Sequence, residues 1–83
     1  MPTVFYRNGF RFYFWSEEGN EPAHIHINKG NGTAKYWLAP KIECEFTYGF
    51  KLSEERYIRE TIQKEYKTLI AAWNEYSKRK NNN

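Results

Sequence analysis

The chain has 83 residues, enough for one small domain that buries only roughly 60% of the surface its unfolded form exposes. Its 3 Trp, 7 Tyr and 6 Phe, each able to bury about 150–250 Å², can fill such a core and exclude intrinsic disorder despite a mean hydropathy of −0.94. The net charge of +3 is carried by Lys78, Arg79 and Lys80, without which 10 bases (13 less these 3) face 10 acids, and the single cysteine, Cys44, excludes an intramolecular disulfide or a Cys-based zinc cluster.

Met1-Pro2-Thr3 leads directly into strand-like sequence, without the basic start and apolar run of a secretory signal. The longest apolar stretch, 69–73, is far short of the ~20 residues a membrane helix needs. A cytoplasmic protein with no membrane contact is expected. Up to about residue 48 the apolar period is two, and about five strands are predicted. The first, 3–6, turns at Asn8-Gly9, a pair suited to positive φ at both positions. Strand 10–15 follows, then a long turn at 16–22, strand 24–28, a turn at 29–32, strand 33–38 ended by Pro40, and strand 42–48 ended by Gly49. Turns this closely spaced imply antiparallel pairing, because parallel strands need a crossover of a dozen residues or more.

From about residue 53 to 80 the period becomes helical. Ser53 is the expected N-cap, Glu54 and Glu55 fall in the first turn where anions are favoured, and Leu52 is placed to staple onto Tyr57. The apolar stripe runs Ile58, Ile62, Tyr66, Leu69, Trp73, Tyr76, opposite Arg56, Glu60, Lys64, Lys67, Asn74 and Lys78. Residues 81–83 read as a frayed tail. The fold class expected is α+β: a single domain over 1–83, with a curved antiparallel sheet of four to five strands and one long C-terminal helix packed on one face.

Alternation along the strands separates two sheet faces. Phe10, Phe12, Phe14, Ile25, Ile27, Ala34, Tyr36, Leu38, Ile42, Cys44 and Phe46 are assigned to the core, which leaves Cys44 an inert buried thiol. Arg11, Tyr13, Trp15, His24, His26, Asn28, Thr33, Lys35, Trp37, Glu43, Glu45 and Thr47 are assigned to the other face. Aromatic and charged side chains mixed on one surface suit a contact with a partner or with a second copy of the chain. The bland alternative is a face covered by the chain's own turns.

His24 and His26 lie on one strand, roughly 7 Å apart along the chain. Three readings stand beside a purely structural one. The pair can take a divalent metal such as zinc, with Glu43 or Glu45 as third ligand. It can act as an acid–base pair, with Arg11 and Lys35 on phosphate, in metal-free RNA cleavage. A Cys44–His nucleophilic pair is disfavoured because alternation points the two groups to opposite faces. The His-Ile-His-Ile run also has the start of a histidine-triad pattern, but Asn28 stands where the third His belongs.

The segments 9–14, 18–26, 34–38 and 69–76, above all Glu21-Pro22-Ala23-His24-Ile25-His26 and Trp73-Asn74-Glu75-Tyr76, resemble a family of short, mostly bacterial proteins, domain of unknown function 4160. The resemblance covers nearly the whole chain and implies no catalytic residues. It implies that such proteins are encoded beside another small protein, in pairs like those of toxin–antitoxin systems. The family pattern usually has Pro at the position of Ala23, which would pre-set the entry to the His strand. Some relatives carry a further His in the preceding turn, where this chain has Gly19 or Asn20. The expectation is therefore a non-enzymatic protein-binding module without a cofactor. Its face would bear Arg11, Tyr13, Trp15, His24, His26, Lys35, Trp37 and Glu45 toward a neighbouring-gene protein or a second copy. A ribonuclease-like toxin and a metal-binding protein using His24, His26 and Glu45 are the alternatives.

Overall fold

Short turns set the topology. Asn8 and Gly9 both take positive φ, 52° and 83°, so the first two strands fold back through the tight hairpin their sequence demands. The computed structural model describes residues 3–15 and 21–81. Five strands form one antiparallel sheet, each pairing with the next: β1 (Thr3–Arg7), β2 (Phe10–Tyr13), β3 (His24–Lys29), β4 (Gly32–Trp37) and β5 (Glu43–Tyr48). Two helices follow, α1 (Leu52–Lys64) and α2 (Tyr66–Asn81). The α+β class and the sheet with helices after it are as the sequence implies. Most of the long turn expected at 16–22, and part of the expected tail, lie outside the described residues.

The core lies between the sheet and the helices. Phe12, Phe14, Ile25, Ile27 and Leu38 from the sheet side meet Ile58, Ile62 and Leu69 from the helices, and all eight are fully buried. At about 25 cal/mol per Å² of apolar surface removed from water, side chains of this size each contribute roughly 1.5–3 kcal/mol. The helix stripe read from the sequence is the buried one, while Arg56, Glu60, Lys64, Lys67, Asn74 and Lys78 are exposed.

Three local expectations are corrected. The helix is capped two residues earlier than Ser53: Lys51 is the extended N-cap residue, and the Glu54 carboxylate accepts its backbone N–H at 2.9 Å. Leu52 is 80% exposed and does not staple the helix start. The helical stretch is also divided at Glu65, whose backbone leaves helical geometry (φ −101°, ψ 21°). Anchors to the sheet flank the break. Arg7 Nη1 of β1 donates to Glu65 Oε2 at 2.6 Å, and Tyr66 Oη donates to the Leu38 carbonyl at 2.6 Å.

A fourth correction concerns strand phase. The β4–β5 register shifts between Lys35 and Tyr36, so that Lys35 pairs with Phe46 but Tyr36 pairs with Cys44. The extra residue on β5 is a bulge, and it reverses the faces beyond it. Phe46 and Tyr48 therefore project away from the helices and Thr47 toward them, the opposite of strict alternation. Cys44 keeps its expected side but is exposed, because β5 is the outermost strand. Partial desolvation holds its thiol above the usual cysteine range, which disfavours the nucleophilic thiolate.

Candidate functional site

The face opposite the Phe12 and Ile27 core is ordered in rows by strand register, and its third row meets α2 at Trp73. The first row crosses all five strands: Tyr6, Arg11, Asn28, Thr33, Tyr48. The second runs Thr3, Tyr13, His26, Lys35, Phe46. The third holds His24, Trp37 and Glu43. Register thus brings Arg11, Tyr13, His24, His26, Lys35 and Trp37 onto one surface, as alternation predicts. Glu45, the extra residue of the bulge, joins them by accepting the Trp37 indole N–H at 2.8 Å. Trp15, just past the end of β2, is exposed.

The cations lie flat on their aromatic neighbours. The Arg11 guanidinium sits 4.1 Å from the Tyr13 ring centroid, and Lys35 Nζ 4.3 Å from that of Trp37. Both pairs are two residues apart on one strand, so the pleat sets each cation beside its ring. Arg11 Nε also donates to Thr3 Oγ1 at 2.9 Å, and Lys35 Nζ to Glu21 Oε1 at 3.1 Å. That hydrogen bond from Lys35 is the main reason the Glu21 carboxyl is held below its ordinary value.

Two expected surface residues are enclosed. Tyr13 is 5% exposed and His24 4%. The His24 imidazole is boxed by His26 at 5.3 Å, Trp37 at 5.5 Å and Trp73 of α2 at 5.0 Å between ring centroids. Its Nδ1 lies 2.9 Å from the Pro22 carbonyl, an acceptor only, so Nδ1 carries the proton and donates. His24 is thus held between the face and the C-terminal helix and is not displayed to solvent. His26, its neighbour, is half-buried. Desolvation, then the proximity of His24 and Lys35, lowers its pKa from 6.5 to about 4, so it is neutral near pH 7.

This geometry bears on the chemical readings. Among the described residues no three His, Cys, Asp or Glu side chains come together as a metal-binding group, and Glu45 is turned to Trp37. An acid–base pair needs one imidazole that gives a proton and one that takes it near neutral pH. Here His24 is enclosed and His26 stays uncharged, and the geometry points to packing and hydrogen bonding. Sequence alternation missed four residues of the face. Thr3 and Tyr6 lie on the first strand, which was not sorted into faces, whereas Phe46 and Tyr48 reach the face only through the bulge.

A family model described as a domain of unknown function (DUF4160) matches residues 9–74. No curated protein and no solved structure matches the chain.

Proposed function

From the premise that this chain belongs to the DUF4160 family, we propose that it is a non-enzymatic protein-binding module whose open sheet face is the contact surface. Its setting would be a bacterial two-protein cassette of the toxin–antitoxin kind, with a cytoplasmic location. The observation that carries the reading is the distribution of exposed rings. Tyr6 is 69% exposed and Tyr48 67%, and both lie in the same row of the open face, with half-covered Trp37 and Phe46 beyond them. Tyr and Trp give large, amphipathic contact area, and interface cores are enriched in them. The cations on this face are already stacked and hydrogen-bonded, so a partner meets a pre-ordered surface with little side-chain entropy left to lose.

The sheet edges support contact through the face. Register irregularities interrupt both outer pairings, at Thr3/Phe5 for β1 and opposite Lys35/Tyr36 for β5. β5 also exposes Glu43 and Glu45. Bulges and charges of this kind are the usual protection against edge-to-edge pairing.

The test is calorimetric titration with the protein encoded by the adjacent gene, together with sedimentation of the chain alone. Trp37→Ala is expected to weaken the contact at least tenfold, in line with the loss of a central aromatic anchor. Circular dichroism would verify that the variant is folded. Unchanged affinity together with an unchanged sedimenting mass would remove the open face as the binding surface.

A further inference from the structure

We propose that the outer side of α1 and α2 is a second contact surface, which takes the phosphate backbone of duplex DNA. It is separate from the sheet face, and it follows from how the fold sorts charges that the sequence intermixes.

Between residues 51 and 78 the bases point outward and most of the acids are drawn in. Lys51, Arg56, Arg59, Lys64, Lys67 and Lys78 are exposed, against Glu60 and Glu75. The other acids of this stretch, Glu54, Glu55 and Glu65, are half-buried and directed to the sheet. Glu54 lies 3.8 Å from Lys29 of β3 and accepts the Lys51 backbone N–H, while Glu65 holds Arg7 of β1. Glu55 adds, after desolvation, to the upward push on the Cys44 thiol of β5. None of Lys51, Arg56, Lys64, Lys67 and Lys78 has an ion-pair partner among the described residues. Exposed bases left without counter-charges are the electrostatic footprint of a polyanion site.

Shape selects the polyanion. Lys67, Ala71, Asn74 and Lys78 follow at helical spacing along one exposed side of α2. The two lysines stand about three turns, roughly 16 Å, apart along the axis. Between them the small Ala71 and the uncharged Asn74 keep the surface low. A helix about 10–12 Å across enters the major groove of B-DNA, about 12 Å wide, and the lysines then reach phosphates from either end of the stripe. The deep, narrow major groove of A-form RNA does not admit a helix in this way. A single strand would need rings to stack on, and this side offers none: Tyr57, Tyr66, Trp73 and Tyr76 are half-buried and pack on the core. A duplex, with its bases covered and its phosphates outward, is the fit. Arg56 and Lys64 of α1 extend the positive field, and Glu60 between them tempers it. Contacts to phosphate alone carry no base preference and give dissociation constants on the order of 10⁻⁴–10⁻⁶ M.

Fluorescence anisotropy of a labelled DNA duplex of about 20 base pairs is the experiment, titrated with the full chain at pH 7 from about 50 to about 200 mM salt. With about four phosphates contacted, affinity should fall on the order of a hundredfold over that range. Lys67→Gln with Lys78→Gln should weaken binding about tenfold or more and lower the log–log salt slope by about 2. Lys29→Gln with Lys41→Gln removes the same charge from exposed positions outside the helices and should stay within about threefold of the wild type. Circular dichroism checks that both variants are folded. RNA duplex and single strands of the same sequence should bind more weakly than the DNA duplex. Absence of binding at the lowest salt, equal losses from the two variants, or tighter binding of either RNA or a single strand would overturn the assignment. So would binding to anionic phospholipid vesicles without binding to DNA, which would make the surface a membrane contact.

Discussion

Replacing His26 by Gln should reduce the acid sensitivity of the fold. His26 sits between Tyr13 and Lys35 in the second row, with the His24 ring 5.3 Å away. Desolvation and these neighbours lower its pKa from 6.5 to about 4. Because the folded value lies below the unfolded one, the unfolded chain binds the extra proton between them. Stability is therefore greatest above about pH 6.5 and falls as the pH drops toward about 4. At about 1.4 kcal/mol per pKa step the full difference is roughly 3 kcal/mol. The ring is only partly shielded from water, which reduces the expected loss to about 1–2 kcal/mol. Gln has no proton to gain, so the stability difference between wild type and variant should shrink in the wild type's disfavour by that amount between pH 7 and pH 4. Urea unfolding followed by far-ultraviolet circular dichroism at closely spaced pH values measures it. Glu21 also favours the fold less in acid, since its folded carboxyl is held below its ordinary value, but that contribution is common to both proteins. A difference that stays flat, or an imidazole titrating by NMR near 6.5 in the folded chain, would refute the reasoning.

Three further expectations follow from packing. Leu69→Ala removes a fully buried anchor of α2 and should cost about 3 kcal/mol, lowering Tm by roughly 10–20 °C, while Lys67→Ala on the exposed side stays within about 0.5 kcal/mol; thermal melts compare them. Gly32→Ala would drive a methyl group into the Phe50 ring and should cost about 1–3 kcal/mol by denaturant unfolding. Glu65→Gln removes the charge that Arg7 holds, but the pair is partly exposed, 39% and 22% by side chain, so the same assay should register about 1 kcal/mol or less.

How far the sequence could be read depended on the range of the interactions involved. The Asn8-Gly9 hairpin, the inward Phe10-Phe12-Phe14 series and the helix stripe from Ile58 to Tyr76 are local patterns, fixed by φ preference and by periods of two and 3.6, and they were legible. The bulge beside Lys35 and Tyr36 was not. Nothing within 42–48 marks where an extra residue must sit; its place is set by pairing with β4. That one residue sent Phe46 and Tyr48 to the open face and Thr47 inward, where its hydroxyl is buried without a hydrogen-bond partner among the described residues. The break at Glu65 was hidden for the same reason, since Arg7 and Leu38, which anchor it, lie far away in sequence.

His24 shows how two sequence signals can be one structural fact. The Glu-Pro-Ala-His-Ile-His segment and the Trp-Asn-Glu-Tyr segment looked like separate marks, the first suggestive of a site and the second of core packing. In the fold they meet. The Trp73 ring covers the His24 imidazole at 5.0 Å and packs edge-on against Phe14 at 5.3 Å, and Tyr76 stacks beside both Phe14 and Trp73. Pro22 ties down the imidazole nitrogen from the other side. The His of the first segment is thus a polar wedge that joins the start of β3 to the last helix, and its hydrogen bond keeps a buried nitrogen satisfied where an apolar residue would leave the Pro22 carbonyl without that donor. His26, one pleat further along, is left as the member of the pair that faces outward with the tyrosines. A His-X-His spacing that suggested shared chemistry therefore separates into an enclosed anchor, His24, and a half-buried residue of the sheet face, His26.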